Sequence, residues 1–418
     1  VNIPANFSPF IRNSLRALNS RNYRLFFIGQ GISLIGSWMQ RVAMGWLVYR
    51  LTNSAMLLGT VGFTDMILTF LLAPFTGVLA DRWDRHKIMI GTQTFSMLHA
   101  LILGFLVVSN LIQVWHIIAL SLCMGVITAF DVPARQSFVI DMVEDKKDLG
   151  NAIALNSTMF NSARLIGPSI AGLVIAAAGE WVCFFLNAVS FFAVIWALLA
   201  MKLKQRVGNG LRKRALVELR EGFLYTYRNL PIRAILLLMA FVSVVGMSYM
   251  TLLPVFARDV LHGGPDTLGF LMASIAIGGV GAAFYLASRR ETLTIGRQIP
   301  AALALLGLGL LAFGSSRNMW FSFVIVMCTG FGQMVMIATS NTVIQTIVEE
   351  DKRGRVMSFY TMAFMGMAPF GSLLAGASAK LLGAPNAVVV GGALCLMGAA
   401  SFALRLPFLQ RASVKEDD

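Results

Sequence analysis

Apolar runs of about 20 residues, the length a helix needs to cross hydrocarbon, recur twelve times along this chain of 418 residues, separated by short polar stretches. Hydrocarbon offers no water to an unpaired backbone N–H or C=O, so such runs can only fold as helices whose hydrogen bonds close internally. The first six cover 23–49, 54–75, 88–108, 114–132, 152–178 and 181–201. The second six cover 232–256, 267–287, 299–314, 320–344, 356–382 and 387–406. The predicted fold is an all-α membrane protein. Its expected parts are an N-terminal six-helix bundle (1–201), a cytoplasmic linker (202–231) and a C-terminal six-helix bundle (232–418). Within the linker, Leu216, Leu219, Phe223 and Tyr227 fall at helical spacing, which predicts an amphipathic helix over 215–227 lying along the inner surface.

Charge sets the orientation. The net charge of +14 would suit nucleic acid, but only 13% of residues are charged and the basic ones sit between apolar runs. With an even number of spans, one face collects Arg12, Arg16, Arg21, the 82–87 loop, Lys146, Lys147, the 202–233 stretch, Arg289, Arg290, Arg297, Lys352, Arg353, Arg355, Arg411 and Lys415. The other has little beyond Arg50, Arg258, Arg317 and Lys380. Basic loops stay cytoplasmic, beside anionic headgroups, so both termini are expected inside a bacterial inner membrane. The polar leader and the length of the first run predict a membrane span there, not a cleaved signal. Cys123, Cys183, Cys328 and Cys395 all lie in apolar runs and read as small packing residues. His86, His99, His116 and His262 are scattered without metal spacing, and no phosphate-binding loop occurs, so neither an enzyme nor an ATP-driven pump is expected.

The halves repeat weakly. At an offset of 205, Gly125 matches Gly330, Val143 matches Val348 and Glu144 matches Glu349. After a slip of two residues, Leu79-Ala80-Asp81-Arg82 matches Leu286-Ala287-Ser288-Arg289. Two related bundles are what a transporter needs when one half turns against the other around a central site.

The most informative loop reads Gly77-Val78-Leu79-Ala80-Asp81-Arg82-Trp83-Asp84-Arg85-His86-Lys87. It resembles the loop between the second and third helices of major facilitator superfamily transporters. Asp84 stands where many members carry a second glycine, and the D-R-x-D-R form is similar to a bacterial exporter subgroup that includes the enterobactin exporter. The stretches 130–136, 151–157 and 161–168 resemble the same subgroup. Ala163, Gly167, Pro168, Ala171 and Gly172 are similar to the fifth-helix motif of proton-coupled antiporters, with alanine replacing two glycines. That resemblance implies a bent seal against the opposite half, whereas the spacing alone is equally that of ordinary small-residue packing. It further implies that Asp81 caps the start of the eleventh span near Gly354, and that Arg85 meets Asp131. These contacts would form an inner latch that includes Gly77, Arg82 and Arg135, although Asp131 and Arg135, four apart, can also pair on their own helix.

Charges inside spans are the sharpest site signal, because each costs roughly 2.5 kcal/mol or more in lipid. Asp65, Arg41 and Arg164 qualify. Asp65 is either a proton carrier or one side of a strut with an arginine. A substrate cavity is expected from the polar stripe Gln30, Ser33, Ser37 and Gln40 in the first span. Gln333 and Met336 in the tenth and Met247 and Tyr249 in the seventh are expected to join it. The competing reading is hydrogen bonding between packed helices.

Together these features predict a monomeric secondary transporter that expels a small amphipathic or hydrophobic compound, a drug or siderophore, using the proton gradient and no bound cofactor. An uncoupled facilitator or lipid flippase of the same fold is the alternative. A non-transporting receptor or scaffold stands behind both.

Overall fold

The helices outrun the apolar stretches that predict them. A computed structural model describes residues 14–202, 215–288 and 295–414, and the described residues form helices and no strand. The first six long helices are α1 (Arg21–Thr52), α2 (Ala55–Arg82), α3 (Arg85–Val108), α4 (Val114–Met142), α5 (Leu149–Ala178) and α6 (Glu180–Leu199). The linker helix α7 covers Ala215–Arg228. Then follow α8 (Leu230–Val260), α9 (Pro265–Ala287), α10 (Ile295–Ser315), α11 (Met319–Ile347), α12 (Arg353–Leu382) and α13 (Ala384–Val414). Eleven of these are long and apolar enough to cross a membrane. The remaining long one, α1, carries Arg21, Arg24, Arg41 and Arg50, which lower its mean hydropathy without shortening it.

Where a helix leaves hydrocarbon, its backbone bonds need not stop. Thus α2 continues past Phe75 to Arg82 and α3 begins at Arg85, so the expected eleven-residue turn at 77–87 shrinks to Trp83 and Asp84. Asp84 takes an extended backbone, and its carboxylate accepts the His86 N–H at 3.0 Å. The departure from glycine at this position is therefore an N-cap.

By contact the chain divides into two units, Val1–Leu47 with Ile67–Gly210 and Val48–Met66 with Leu211–Asp418. In the first, α1 lies between α5 and α6 at van der Waals distance. A Cβ on Gly29 would stand 3.0 Å from that of Ala197, and one on Gly36 would stand 2.5 Å from the Ser190 hydroxyl. A Cβ on Gly167 of α5 would reach within 2.5 Å of the Trp38 Cβ. Such contacts stand in for hydrophobic driving force, which is weak between helices already surrounded by apolar tails. At one end Tyr23, Phe26, Met89, Phe138, Met142 and Leu198 are buried together, and the Tyr23 hydroxyl donates to the Ala152 carbonyl at 2.8 Å.

In the second unit the same device is stronger. Gly278 of α9 and Gly330 of α11 put backbone against backbone: added Cβ atoms would lie 1.9 Å from the Met327 carbonyl oxygen and 2.2 Å from that of Ile275. The α8 helix runs beyond the expected end at 256 through two π-helical turns, Val242–Gly246 and Phe256–Val260. The second turn presents Asp259 to the Tyr49 hydroxyl and Arg258 to the Asn53 side-chain oxygen at 2.7 Å. In the same unit Gly59 and Gly376 meet, a Cβ on either standing 3.0 Å from the other's Cα. The linker helix packs on the start of α12, with Phe223 and Phe359 at 6.2 Å and the Lys352 ammonium 4.5 Å from the Tyr225 ring centre. Its hydrogen bond to Glu349 raises the Lys352 pKa, so that lysine stays charged through the neutral range.

Candidate functional site

Three groups of polar residues lie at successive places along the helices of the first unit. The deepest is built on α1 and α5. Arg164 is 15 residues after the start of α5 and 14 before its end, about 21 Å from the nearer end at 1.5 Å per residue. Its guanidinium lies 5.9 Å from the Trp38 ring centre. Arg41 comes to the same ring from its own helix, at 4.7 Å, and Phe160 approaches it edge-on at 6.1 Å. Each guanidinium alone is attracted by the negative face of the indole. The third charge expected inside a span, Asp65, groups with the second unit. It is half-buried on α2, ten residues from that helix's start at Ala55. Both Asp65 and Arg164 have further interaction partners.

The second group is a buried amide network. Asn187 donates to the Gln40 carbonyl oxygen at 2.8 Å, Gln40 lies 3.4 Å from His99 Nδ1, and Ser190 donates to Asn187. Gln40 therefore faces α3 and α6. Gln30 and Ser33 are likewise enclosed, at 3% and 1% exposure, and Ser37 is half-buried. Of the polar stripe predicted to line a cavity, Gln40 is thus bonded to neighbouring helices within the unit, whereas Gln30 Oε1 is buried without a hydrogen-bond partner among the described residues. Period alone could not separate the two readings, because a face turned toward a neighbouring helix and one turned toward a passage share the spacing.

The third group lies where α3 and α4 approach the 82–87 loop. Arg85 pairs with Asp141 at 3.3 Å and donates to the Ser137 carbonyl. Asp131 accepts from Gln93 at 2.7 Å and Thr92 at 3.0 Å and pairs with Arg135 at 3.5 Å. The expected Arg85–Asp131 contact is replaced. Asp141 lies almost three helical turns beyond Asp131 on α4, nearer the start of α3, and Asp131 has its acceptor positions served locally. Double-mutant cycles should give Arg85 and Asp141 a coupling of about 0.5–1 kcal/mol, and Arg85 with Asp131 one near zero. Thermal midpoints of the purified variants measure both. A larger Arg85–Asp131 term would reverse the assignment. The side-chain surroundings of Gly77, Asp81 and Arg82 fall outside the described residues, and with them the expected cap near Gly354.

The fifth-helix motif is buried: Ala163, Gly167, Pro168, Ala171 and Gly172 all turn inward, and α5 runs unbroken through Pro168. Gly167 lies against Ile35 and Trp38 of α1.

In the second unit Tyr249 and Gln333 are bonded at 3.3 Å and buried. Met336 is fully enclosed and Met247 half-buried. The cavity lined by Ser248, Tyr249, Leu252, Ser378 and Gly391 measures about 10 Å³, room for one water. No metal-binding cluster of His, Cys, Asp or Glu occurs among the described residues. The sequence reading missed Trp38, Phe160 and Asp141. The first carried a signal, since Trp38 precedes Arg41 by three residues and so shares its helical face.

The family model described as transmembrane secretion effector matches residues 12–417. The staphyloferrin A transporter of Staphylococcus aureus is 26% identical, over 86% of this chain and 90% of its own length. The macrolide efflux protein A of Streptococcus pyogenes is 25% identical, over 90% and 94%. The multidrug efflux pump Tap of Mycobacterium bovis is 25% identical, over 91% of each chain. A crystal structure of a peptide transporter, POT, in a mutant form, superposes with a TM-score of 0.73 at 13% identity, over 94% of this chain and 95% of that one, a likeness of fold.

Proposed function

We propose that this chain, which belongs to the transmembrane secretion effector family of the major facilitator superfamily, expels a small amphipathic or hydrophobic compound in exchange for protons by alternating access. Membership makes it a multi-pass secondary transporter and not an enzyme. Export is supported by relatives named for macrolide and multidrug efflux, and a siderophore-like cargo by the staphyloferrin A transporter.

The observation that carries proton exchange is Asp65. It sits about 15 Å along α2 from Ala55. An ionisable group at that depth is costly in lipid and is kept where ions or substrate pass. A carboxylate can also gain and lose a proton without leaving its helix. The basic residues gathered on the loops of one face support cytoplasmic termini in a bacterial inner membrane.

The test is flux in liposomes carrying purified protein. An imposed pH gradient should drive a macrolide or a lipophilic dye uphill, with counterflow of protons reported by a trapped pH dye. Dye and proton movements that ignore each other would leave the uncoupled facilitator or flippase reading in its place.

A further inference from the structure

The linker helix α7 packs along one edge only. Gly222, Thr226 and Asn229 are buried, and a Cβ on Gly222 would stand 3.1 Å from that of Arg355 on α12. On the opposite edge Phe223, Leu224 and Tyr227 are 56%, 41% and 59% exposed. Phe223 and Tyr227, four apart, stack at 6.2 Å, and Arg228 beside them is exposed. Apolar and aromatic groups left open together on one helix edge mark a contact surface.

Arg233 shows what that surface meets. Asn229 alone separates α7 from α8, and its side chain caps α8 by accepting the Ile232 N–H at 3.2 Å. Arg233 lies three residues after Leu230, about 4.5 Å into the span, where a charge is costly unless it reaches out. Its guanidinium turns back out of the span. It donates to the Tyr227 carbonyl at 3.2 Å and lies 5.1 Å from the centre of that ring. From Ala234 to Met247 every residue of α8 that is not buried is apolar, with Leu237 at 64% exposure the most open. Leu237 follows Arg233 by four residues and shares its face. A face so free of polar groups borders acyl chains, so Arg233 snorkels to the headgroup level and Tyr227 lies there with it.

We propose that Tyr227, Arg228 and Arg233 form a binding site for the phosphate of an anionic phospholipid in the leaflet that α8 enters. The acyl chains would run past Leu237, and Phe223 and Leu224 would lie in the boundary between chains and headgroups. The bond to Tyr227 engages one N–H of Arg233, and a guanidinium carries five in a fork that matches phosphate oxygens. Local charge favours an anionic over a zwitterionic lipid, since 202–233 holds nine lysines and arginines against two glutamates. Because α7 packs on the start of α12, a bound headgroup would hold both. The site is independent of the export reading and of which side of the membrane α8 starts on.

Native mass spectrometry of the full-length protein, titrated with phosphatidylglycerol and with phosphatidylcholine, tests it. The first phosphatidylglycerol should bind at least about tenfold tighter than phosphatidylcholine. Joint Arg228→Gln and Arg233→Gln should remove most of that preference, while Arg228→Lys, which keeps the charge, should retain more of it than Arg228→Gln. In nanodiscs, adding phosphatidylglycerol should slow backbone hydrogen exchange over 222–228 in the natural protein and leave the double variant unchanged. Equal affinity for the two lipids, an unaltered preference in the double variant, or exchange that ignores lipid charge overturns the proposal. So does displacement of the tight lipid by inorganic phosphate, which would make this a site for a soluble anion. Should the double variant fail to fold, Arg228→Gln decides alone, since its side chain is exposed.

Discussion

Asparagine in place of Asp65 should lower transport driven by a pH gradient at least about tenfold, a loss of more than about 1.4 kcal/mol in coupling, while downhill exchange of substrate continues. Asparagine matches the carboxylate in shape and keeps one acceptor oxygen, but it holds no exchangeable charge. A proton carrier so altered can still cycle with substrate bound and can no longer convert a proton gradient into uphill movement. The competing role is a strut, since Asp65 has an interaction partner in this structure. The two roles predict opposite patterns. Loss of a strut leaves the partner undercompensated, so the thermal midpoint and every mode of transport should fall together. Loss of a carrier should spare the midpoint and downhill exchange and remove only the response to the gradient. Asp65→Glu keeps the proton and should retain most of that response. Flux with and without the gradient, measured beside the melting curve, separates them, and a variant that still concentrates substrate would exclude Asp65 as the carrier.

Much of the fold was legible because lipid removes alternatives. An apolar run of membrane length must be helical, and twelve such runs leave few folds to choose from. What the runs could not show was where helices end. Residues 76–82 extend α2, and 257–260 extend α8, because a helix leaving hydrocarbon meets no penalty until a cap or a proline stops it. Asp84 illustrates the difference: as a sequence symbol it was a departure from a glycine, and as a structure it is the cap that starts α3. The expected boundary between halves also passes over a detail, since residues 48–66 group by contact with the second unit. Within that unit they meet α8 through Tyr49 and Asn53 and α12 through Gly59 and Gly376. Nothing in one sequence tells which glycine finds which.

The site was legible in residue type and less so in partnership. Asp65, Arg41 and Arg164 stand out because charge in lipid needs a reason. That both arginines converge on Trp38 depends on the crossing of α1 and α5, which no spacing within either helix encodes. The same holds for Asp131. Its neighbours Thr92 and Gln93 come from α3 and both bond its Oδ1, while Arg135 of its own helix pairs with Oδ2. Hydrogen-bond accounting for the buried groups, available only once the helices are placed, decides which carboxylate Arg85 meets.

Leucine at Gly278 should prevent the protein from accumulating in the membrane, and alanine there should lower its apparent thermal midpoint by several degrees. A Cβ at this position would lie 1.9 Å from the Met327 carbonyl oxygen and 2.8 Å from the Phe331 backbone nitrogen. Both obstacles are backbone, so no rotamer change relieves the clash and the helices must part. Parting α9 from α11 also opens the reciprocal contact at Gly330, whose own Cβ would meet the Ile275 carbonyl at 2.2 Å. Overpacking of this kind costs about 1–3 kcal/mol even where side chains can yield. Between membrane helices the lost dispersion contacts have no hydrophobic term to offset them. One residue along, Gly279 offers the internal control: its nearest neighbour would be the Met334 Cβ at 3.9 Å, an ordinary contact. Gly279→Ala should therefore leave the midpoint nearly unchanged, or raise it slightly through helix propensity. Fluorescence-detected size exclusion after graded heating reads both variants on the same scale. Similar losses at 278 and 279 would mean that glycine matters there for bending the helix, and equal tolerance at both would mean that α9 and α11 do not touch through their backbones. The repeat gives the contact a wider reach. Gly330 matches Gly125 at the offset of 205, and the Gly125 carbonyl accepts the Thr69 hydroxyl at 2.9 Å. In one half of the chain a hydroxyl bonds the second span to the fourth, and in the other the counterpart helices meet backbone to backbone.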